Sequence, residues 1–276
     1  MAKPAGKRPE RDRKPGRDSQ RSGQSTFAKR PGQSGSSRPA GGSAFSRAAS
    51  SRGLRESDVD RIVRSQPWNL IEPHLAAAGA DPTIALPRLR AFVKLVISWN
   101  RTNSNIMSKN DEGRIVLRHF AESLAPAKWL KESGAASWLD FGSGAGFPAI
   151  PLAIAGVGSS WTLVESRRSK TLFLRKSIQD LGLVGIQVVN TRLETLEPMP
   201  EKVDGFTARA TESLAKTLAM ASALVRPGGN AFLWKGSKWL AEMEADPDWR
   251  SSWSMDEAMP IADNQATVIR FTRHST

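Results

Sequence analysis

Apolar positions along this chain pass through three regimes. Up to about Arg55 they are nearly absent: Gly, Ser, Pro and Arg dominate, and the large apolar residues thin out to Phe27, Phe45 and Leu54. Such a stretch buries too little surface to offset its ordering entropy and is expected to be disordered. After Arg55 a helical period begins. Leu89, Phe92, Val93 and Val96 fall at i, i+3, i+4 and i+7, which predicts a helix ending near Trp99 and Asn100, and Ile115 to Leu124 suggests another.

From Ser137 onward short β-type runs alternate with helical segments. The runs are Trp138 to Phe141, Trp161 to Glu165, Ile186 to Asn190, Val203 to Thr207 and Asn230 to Trp234. Between them Ile150/Ile154/Val157, Leu174/Ile178/Leu181 and Leu214/Leu218/Ala221 keep the i, i+4, i+7 spacing of one helix face. Strand then helix, repeated, means a mostly parallel sheet covered on both faces. Gly228 and Gly229 after Pro227 break the helix before the fifth strand, and ATVIRFTR at 266–273 is expected as an antiparallel edge strand. The chain therefore divides into a tail (1–55), an N-terminal helical region (56–136) and an α/β core (137–276).

Charge sharpens this division. Of the net +13, residues 1–55 carry 14 Lys and Arg against three acids, whereas the rest holds 26 basic and 24 acidic residues. A basic arm of this kind fits contact with phosphate backbones; the plainer reading is a solubilising tail, and the two stand level. The tail has no apolar run of the kind a secretory signal needs, and no stretch of the chain reaches the apolar length of a membrane span. Cysteine is absent, which excludes disulfides, thiolate metal sites and a cysteine nucleophile, and no metal site is expected.

The densest candidate chemistry is WLDFGSGAGFPAIPLAIAG at 138–156. Gly142, Gly144 and Gly146 follow the first strand, where ligands of open α/β sheets bind, and their missing side chains let a ligand approach backbone. Pro148 and Pro151 are tolerable in the first turn of the helix that follows. Free amides in this turn are expected to attract an anionic group. Asp140 stands two positions before Gly142, and Glu165 ends the second strand 23 residues after it, where a carboxylate accepts from both hydroxyls of a ribose. A dinucleotide loop needs a third glycine where this chain has Phe147. The frame Gly144-x-Gly146-x-x-Ala149 fits that pattern but starts too far from the strand. The spelling D-x-G-x-G-x-G matches instead the loop that holds S-adenosylmethionine.

Over roughly residues 85–240 the sequence resembles the RsmG (GidB) family, bacterial enzymes that methylate nitrogen 7 of a guanine in small-subunit (16S) ribosomal RNA. The resemblance is carried by DFGSGAGFPAIPLAI, VESRRSKTLFLRKSIQDLGL, NTRLETL and ARATESLAKTLAMASALVRPGGNAFLWKG, with WN at 99–100 and RHFAESL at 118–124 before them. It implies a class I S-adenosylmethionine-dependent methyltransferase fold, Rossmann-like, with an N-terminal helical extension. It also implies a methyl donor held by Gly142 and Phe147, by Leu193 and Glu194 after the third strand, and by Arg209 after the fourth. Phe147 is suited to pack on the donor, Glu194 to accept from the adenine amine, and Arg209 to meet a carboxylate or an RNA phosphate. The substrate implied is ribosomal RNA or the small ribosomal subunit, the location cytoplasmic, and a monomer is expected. The chain departs from the family in having Ser169 and Lys170 where two lysines are usual, and in two extra residues before NIMS at 105–108.

Several residues carry two readings. Arg167, Arg168, Lys170, Arg175 and Lys176 form an RNA-facing stripe or a solvated helix face. Lys235 reaches RNA phosphate or a neighbouring carboxylate, and His119 reads as a structural histidine before a catalyst. Nitrogen 7 of guanine carries no proton, so no general base is needed, and Arg209, Lys170 and Lys235 are candidates only for positioning. Two other functions use the same features: an NAD-dependent oxidoreductase, and a non-catalytic RNA-binding or ribosome-assembly protein with a vestigial donor pocket.

Overall fold

A computed structural model describes residues 58–103, 105–192, 195–196, 201–209, 212–261 and 266–275 of the 276-residue chain. The expectations for the tail, and those for Leu193 and Glu194, lie outside the described residues.

The helical region opens with α1 (58–65), α2 (Glu72–Ala77) and α3 (Pro82–Thr102). Pro82 occupies the first turn of α3, and the Asp81 side chain caps it by accepting from the Thr83 amide at 2.8 Å. The predicted stripe is buried: Ala85, Leu89, Phe92, Val93, Val96 and Ile97 all face the interior. At its end Asn100 donates to Glu112 at 2.8 Å and accepts from the Ile106 and Met107 amides, so the WN pair tethers the connection that follows.

The second helix expected here, Ile115 to Leu124, is not one regular helix. A 3₁₀ segment (Lys109–Arg114) leads into a single π turn (Val116–Phe120), then α4 (Ala121–Leu124) and α5 (Ala127–Glu132). The π turn re-aims Arg118 and His119 relative to a 3.6-residue repeat, an irregularity that periodicity does not register.

The α/β part runs β1 (Ser137–Phe141), α6 (Ala149–Ile154), β2 (Ser160–Val164), α7 (Arg168–Asp180), β3 (Ile186–Val189) and β4 (Val203–Arg209). It continues through α8 (Leu214–Leu224), β5 (Val225–Lys235), α9 (Trp239–Ala245), β6 (Trp253–Ile261) and β7 (Ala266–Arg273). The seven strands are ordered β3-β2-β1-β4-β5-β7-β6, with β1 to β5 parallel and β7 antiparallel to β5. Order reverses between β1 and β4, so the ligand crevice of such a sheet opens there. The expected edge strand ATVIRFTR is antiparallel but interior, with Val268, Ile269 and Phe271 fully buried. The edge is β6, whose Asp256, Glu257 and Pro260 hid its strand pattern; Pro is tolerated there because one side of an edge strand is unpaired.

Two apolar layers cover the sheet. On one face α1 to α5, α6 and α7 share a single core that includes Phe92, Phe120, Phe147, Trp138 and Phe173. On the other, α8 and the α9 region pack Leu214, Leu218, Met243 and Trp249 against Leu139, Phe206 and Leu233. The helical region is thus a wall of the same core that carries the crevice.

Candidate active site

Gly142 and Gly144 adopt φ of 69° and 58°, and Gly146 adopts 90°, conformations that favour glycine. A Cβ on Gly146 would lie 2.6 Å from Ile150 Cδ1 and 3.1 Å from Phe92, so the turn is pressed onto the helices beneath it. Four of the amides expected to be free are occupied. Gly142 and Ser143 both donate to the Val164 carbonyl, at 2.9 and 3.2 Å, Gly146 donates to Ser143, and Gly144 donates to Glu165 Oε2 at 2.9 Å. The loop is tied to the end of β2, and it is not the anion nest that a pyrophosphate needs.

The second oxygen of Glu165 accepts from the Arg167 amide at 2.8 Å, and Asn190 holds the main chain by donating to the Glu165 and Ser166 carbonyls. Each carboxylate oxygen has more than one lone pair, so Glu165 remains able to accept from ribose hydroxyls. Beside it lies a cleft of about 190 Å³ bordered by Gly142, Glu165, Ser166, Thr191 and Arg192. A larger groove of about 480 Å³, at the amino ends of the strands near Trp138, Trp161 and Val203, contains none of the candidate residues.

Asp140 does not line the crevice. It is fully buried between β1 and β4, where Oδ1 accepts from Thr207 Oγ1 at 2.6 Å and Oδ2 has no partner. Burial pushes its carboxyl up to about 6. Phe147 is likewise turned inward: its ring lies 5.1 to 5.4 Å from those of His119, Phe120 and Phe92. The ring pins the loop to the helical wall.

Arg209 ends β4 one residue beyond Ala208, which pairs with Phe141 of β1, so its position adjoins Gly142. One terminal nitrogen, Nη2, meets Glu122 Oε2 at 2.8 Å and His119 Nδ1 at 2.9 Å; the other, Nη1, is buried without a partner among the described residues. Burial, with the Arg209 charge adding to it, lowers His119 to about 4, so the ring is neutral at physiological pH. The structural reading of His119 is the one the geometry favours. Glu122 is a member of the site that sequence reasoning misses; its sole signal within RHFAESL is a charge on an otherwise buried helix turn.

Lys235 is buried and engaged, donating to the Glu212 carbonyl at 2.7 Å and to Glu242 Oε2 at 2.9 Å, so of its two readings the neighbouring carboxylate is the one the geometry favours. Lys170 instead stands over the loop, its ammonium 3.8 Å from where a Gly144 Cβ would be. On α7, Lys176 pairs with Asp180 and Arg175 reaches the Val188 carbonyl, which leaves Arg167, Arg168 and Lys170 at the amino end of the helix; the basic residue bordering the cleft itself is Arg192. Among the described residues there is no cluster of metal-ligating side chains.

A parallel sheet whose order reverses at a glycine turn, with an acid at the next strand end and an antiparallel strand inserted beside β5, defines a class I methyltransferase fold. The chain matches the family described as rRNA small subunit methyltransferase G over residues 85–267. It is 35% identical over 195 residues to ribosomal RNA small subunit methyltransferase G of Stenotrophomonas maltophilia (strain K279a), covering 70% of this chain and 86% of that protein. It is 36% identical over 191 residues to the protein of the same name from Xanthomonas axonopodis pv. citri (strain 306), covering 69% and 86%. The chain belongs to the rRNA small subunit methyltransferase G family. It is an S-adenosylmethionine-dependent methyltransferase, and the oxidoreductase alternative falls.

Proposed function

We propose that this chain transfers a methyl group to nitrogen 7 of a guanine in 16S ribosomal RNA, using the crevice between β1, β2 and β4. The observation that carries the reading is the Gly144 amide bound to Glu165. A pyrophosphate placed there meets a carboxylate and spent amides, whereas a sulfonium nucleoside brings ribose hydroxyls and a cation, which that carboxylate suits. S-adenosylmethionine, when bound, supplies an electrophilic methyl group. Glu165 takes the ribose hydroxyls, Gly142 and the backbone near Phe147 form a wall without side chains, and Arg209 offers its unspent Nη1 to a carboxylate. Leu193 and Glu194 are assigned to the adenine end by family resemblance.

No residue removes a proton, because the accepting nitrogen has none. His119 agrees with this, being neutral, paired with Arg209 and packed at a tilt against Phe147. Rate then comes from holding the base in line and excluding water. Lys170, above the loop, and the neighbouring Arg167 and Arg168 are assigned to RNA phosphates. The basic tail adds nonspecific RNA affinity, and the protein acts as a cytoplasmic monomer. No described helix is long and apolar enough to cross a membrane.

The test is to incubate the chain with methyl-labelled S-adenosylmethionine and small subunits from cells lacking the gene, then map the label. Label on nitrogen 7 of one guanine is expected. Donor binding with no label in RNA would favour the assembly-protein reading.

A further inference from the structure

Glu122 lies 87 residues from Arg209 in sequence, on the short α4 helix behind the π turn, yet its carboxylate is the strongest partner that guanidinium has. Its backbone is fixed independently, since the Glu122 carbonyl accepts from Trp234 Nε1 of β5 at 2.8 Å. The carboxylate is therefore held at a set height over the sheet. His119, one helical turn earlier, adds a second acceptor to the same Arg209 nitrogen. Both acceptors take Nη2, while Nη1, buried and unpartnered among the described residues, keeps its hydrogens unspent. A buried Arg–Glu pair is costly to form and gains little stability over an apolar pair, so stability alone is a weak reason to keep one.

We propose that Glu122, assisted by neutral His119, is a positioning residue that orients Arg209 so that Nη1 is presented to the methyl donor. This rests on the reading of the crevice as the donor site. Glu122 touches neither donor nor RNA; it acts by engaging one edge of the guanidinium and leaving the other available. The helical wall thereby contributes to the site through a side chain that never enters it.

The experiment is a double-mutant cycle read by calorimetric titration of S-adenosylmethionine into the full chain, with thermal melting alongside. Glu122→Gln keeps the shape but removes the charge, and is expected to weaken donor binding on the order of tenfold to a hundredfold, the worth of one charge-assisted contact. In an Arg209→Met background the same substitution is expected to have no further effect, because nothing remains for it to orient. Should Glu122→Gln fail to fold, Glu122→Asp retains the charge with a shorter reach; a folded Glu122→Asp protein with weakened donor binding supports the proposal. Wild-type donor affinity in either folded variant overturns it, as do losses that add in the double variant. Absence of donor binding by the unmodified chain overturns the donor-site reading and this proposal together.

Discussion

Asp140 stands in the most legible motif of the chain, yet its role is set by burial that no motif discloses. Its carboxyl is raised to about 6 from an ordinary 3.8, so between those values the folded state holds a proton that the unfolded state has released. The stability this gives is complete below pH 3.8 and is lost as pH rises through 6. Asp140→Asn keeps an acceptor for Thr207 and cannot ionise. Melting curves from about pH 5 to 8 are expected to show the variant gaining on the wild type, by roughly 1–3 kcal/mol at the upper end; a constant gap across that range would refute this. Gly142 offers the opposite case, exposed to the cleft at φ 69°. Asp is among the side chains that tolerate this region, so Gly142→Asp is expected to fold while donor binding, followed by calorimetry, disappears.

The ties between secondary-structure elements were mostly invisible in sequence, because they join residues far apart. Lys235 at the end of β5 holds the Glu212 carbonyl and Glu242, and Glu242 accepts in turn from the Leu214 amide at the start of α8. This clasp ties the end of β5 to the start of α8 and to α9. Lys235→Met preserves the apolar stem but removes the buried cation that ties the exposed Glu212 carbonyl and the half-exposed Glu242, a loss of about 1–2 kcal/mol. A lower melting temperature with reduced transfer is expected, and an unchanged melting temperature with weaker RNA binding would return Lys235 to an RNA contact. Helical stripes such as Leu89 to Val96 were readable because a buried face repeats. The π turn at Val116–Phe120 and strand β6 were not, since one breaks the repeat and the other carries charge and proline on an exposed edge.

Across the whole molecule the basic excess is concentrated in residues 1–55, separate from the nearly balanced remainder. If that arm meets RNA phosphates, its removal lowers RNA affinity and reduces the slope of log affinity against log salt by about 0.7–0.9 for each phosphate the arm neutralises. Donor affinity is expected to stay unchanged in the same truncated protein. Filter binding across a salt series checks the first and calorimetry the second; an unaltered slope would make the arm a spacer. The described part is built so that the helical region, the glycine turn and the sheet share one apolar layer, with Phe147 at the junction of His119, Phe120 and Phe92. The glycine turn and the helical wall are therefore packed together through a single ring.

Read alone, the chain determined the alternation of strands and helices, the place of the glycine turn after β1, the acid closing β2, and the family, because periodicity and motif are local properties of sequence. It did not determine which loop amides are free, which way Phe147 and Lys235 point, or that Glu122 meets Arg209. Those depend on which groups are desolvated together across distances of tens of residues, and only the packed arrangement of sheet and helical wall decides that.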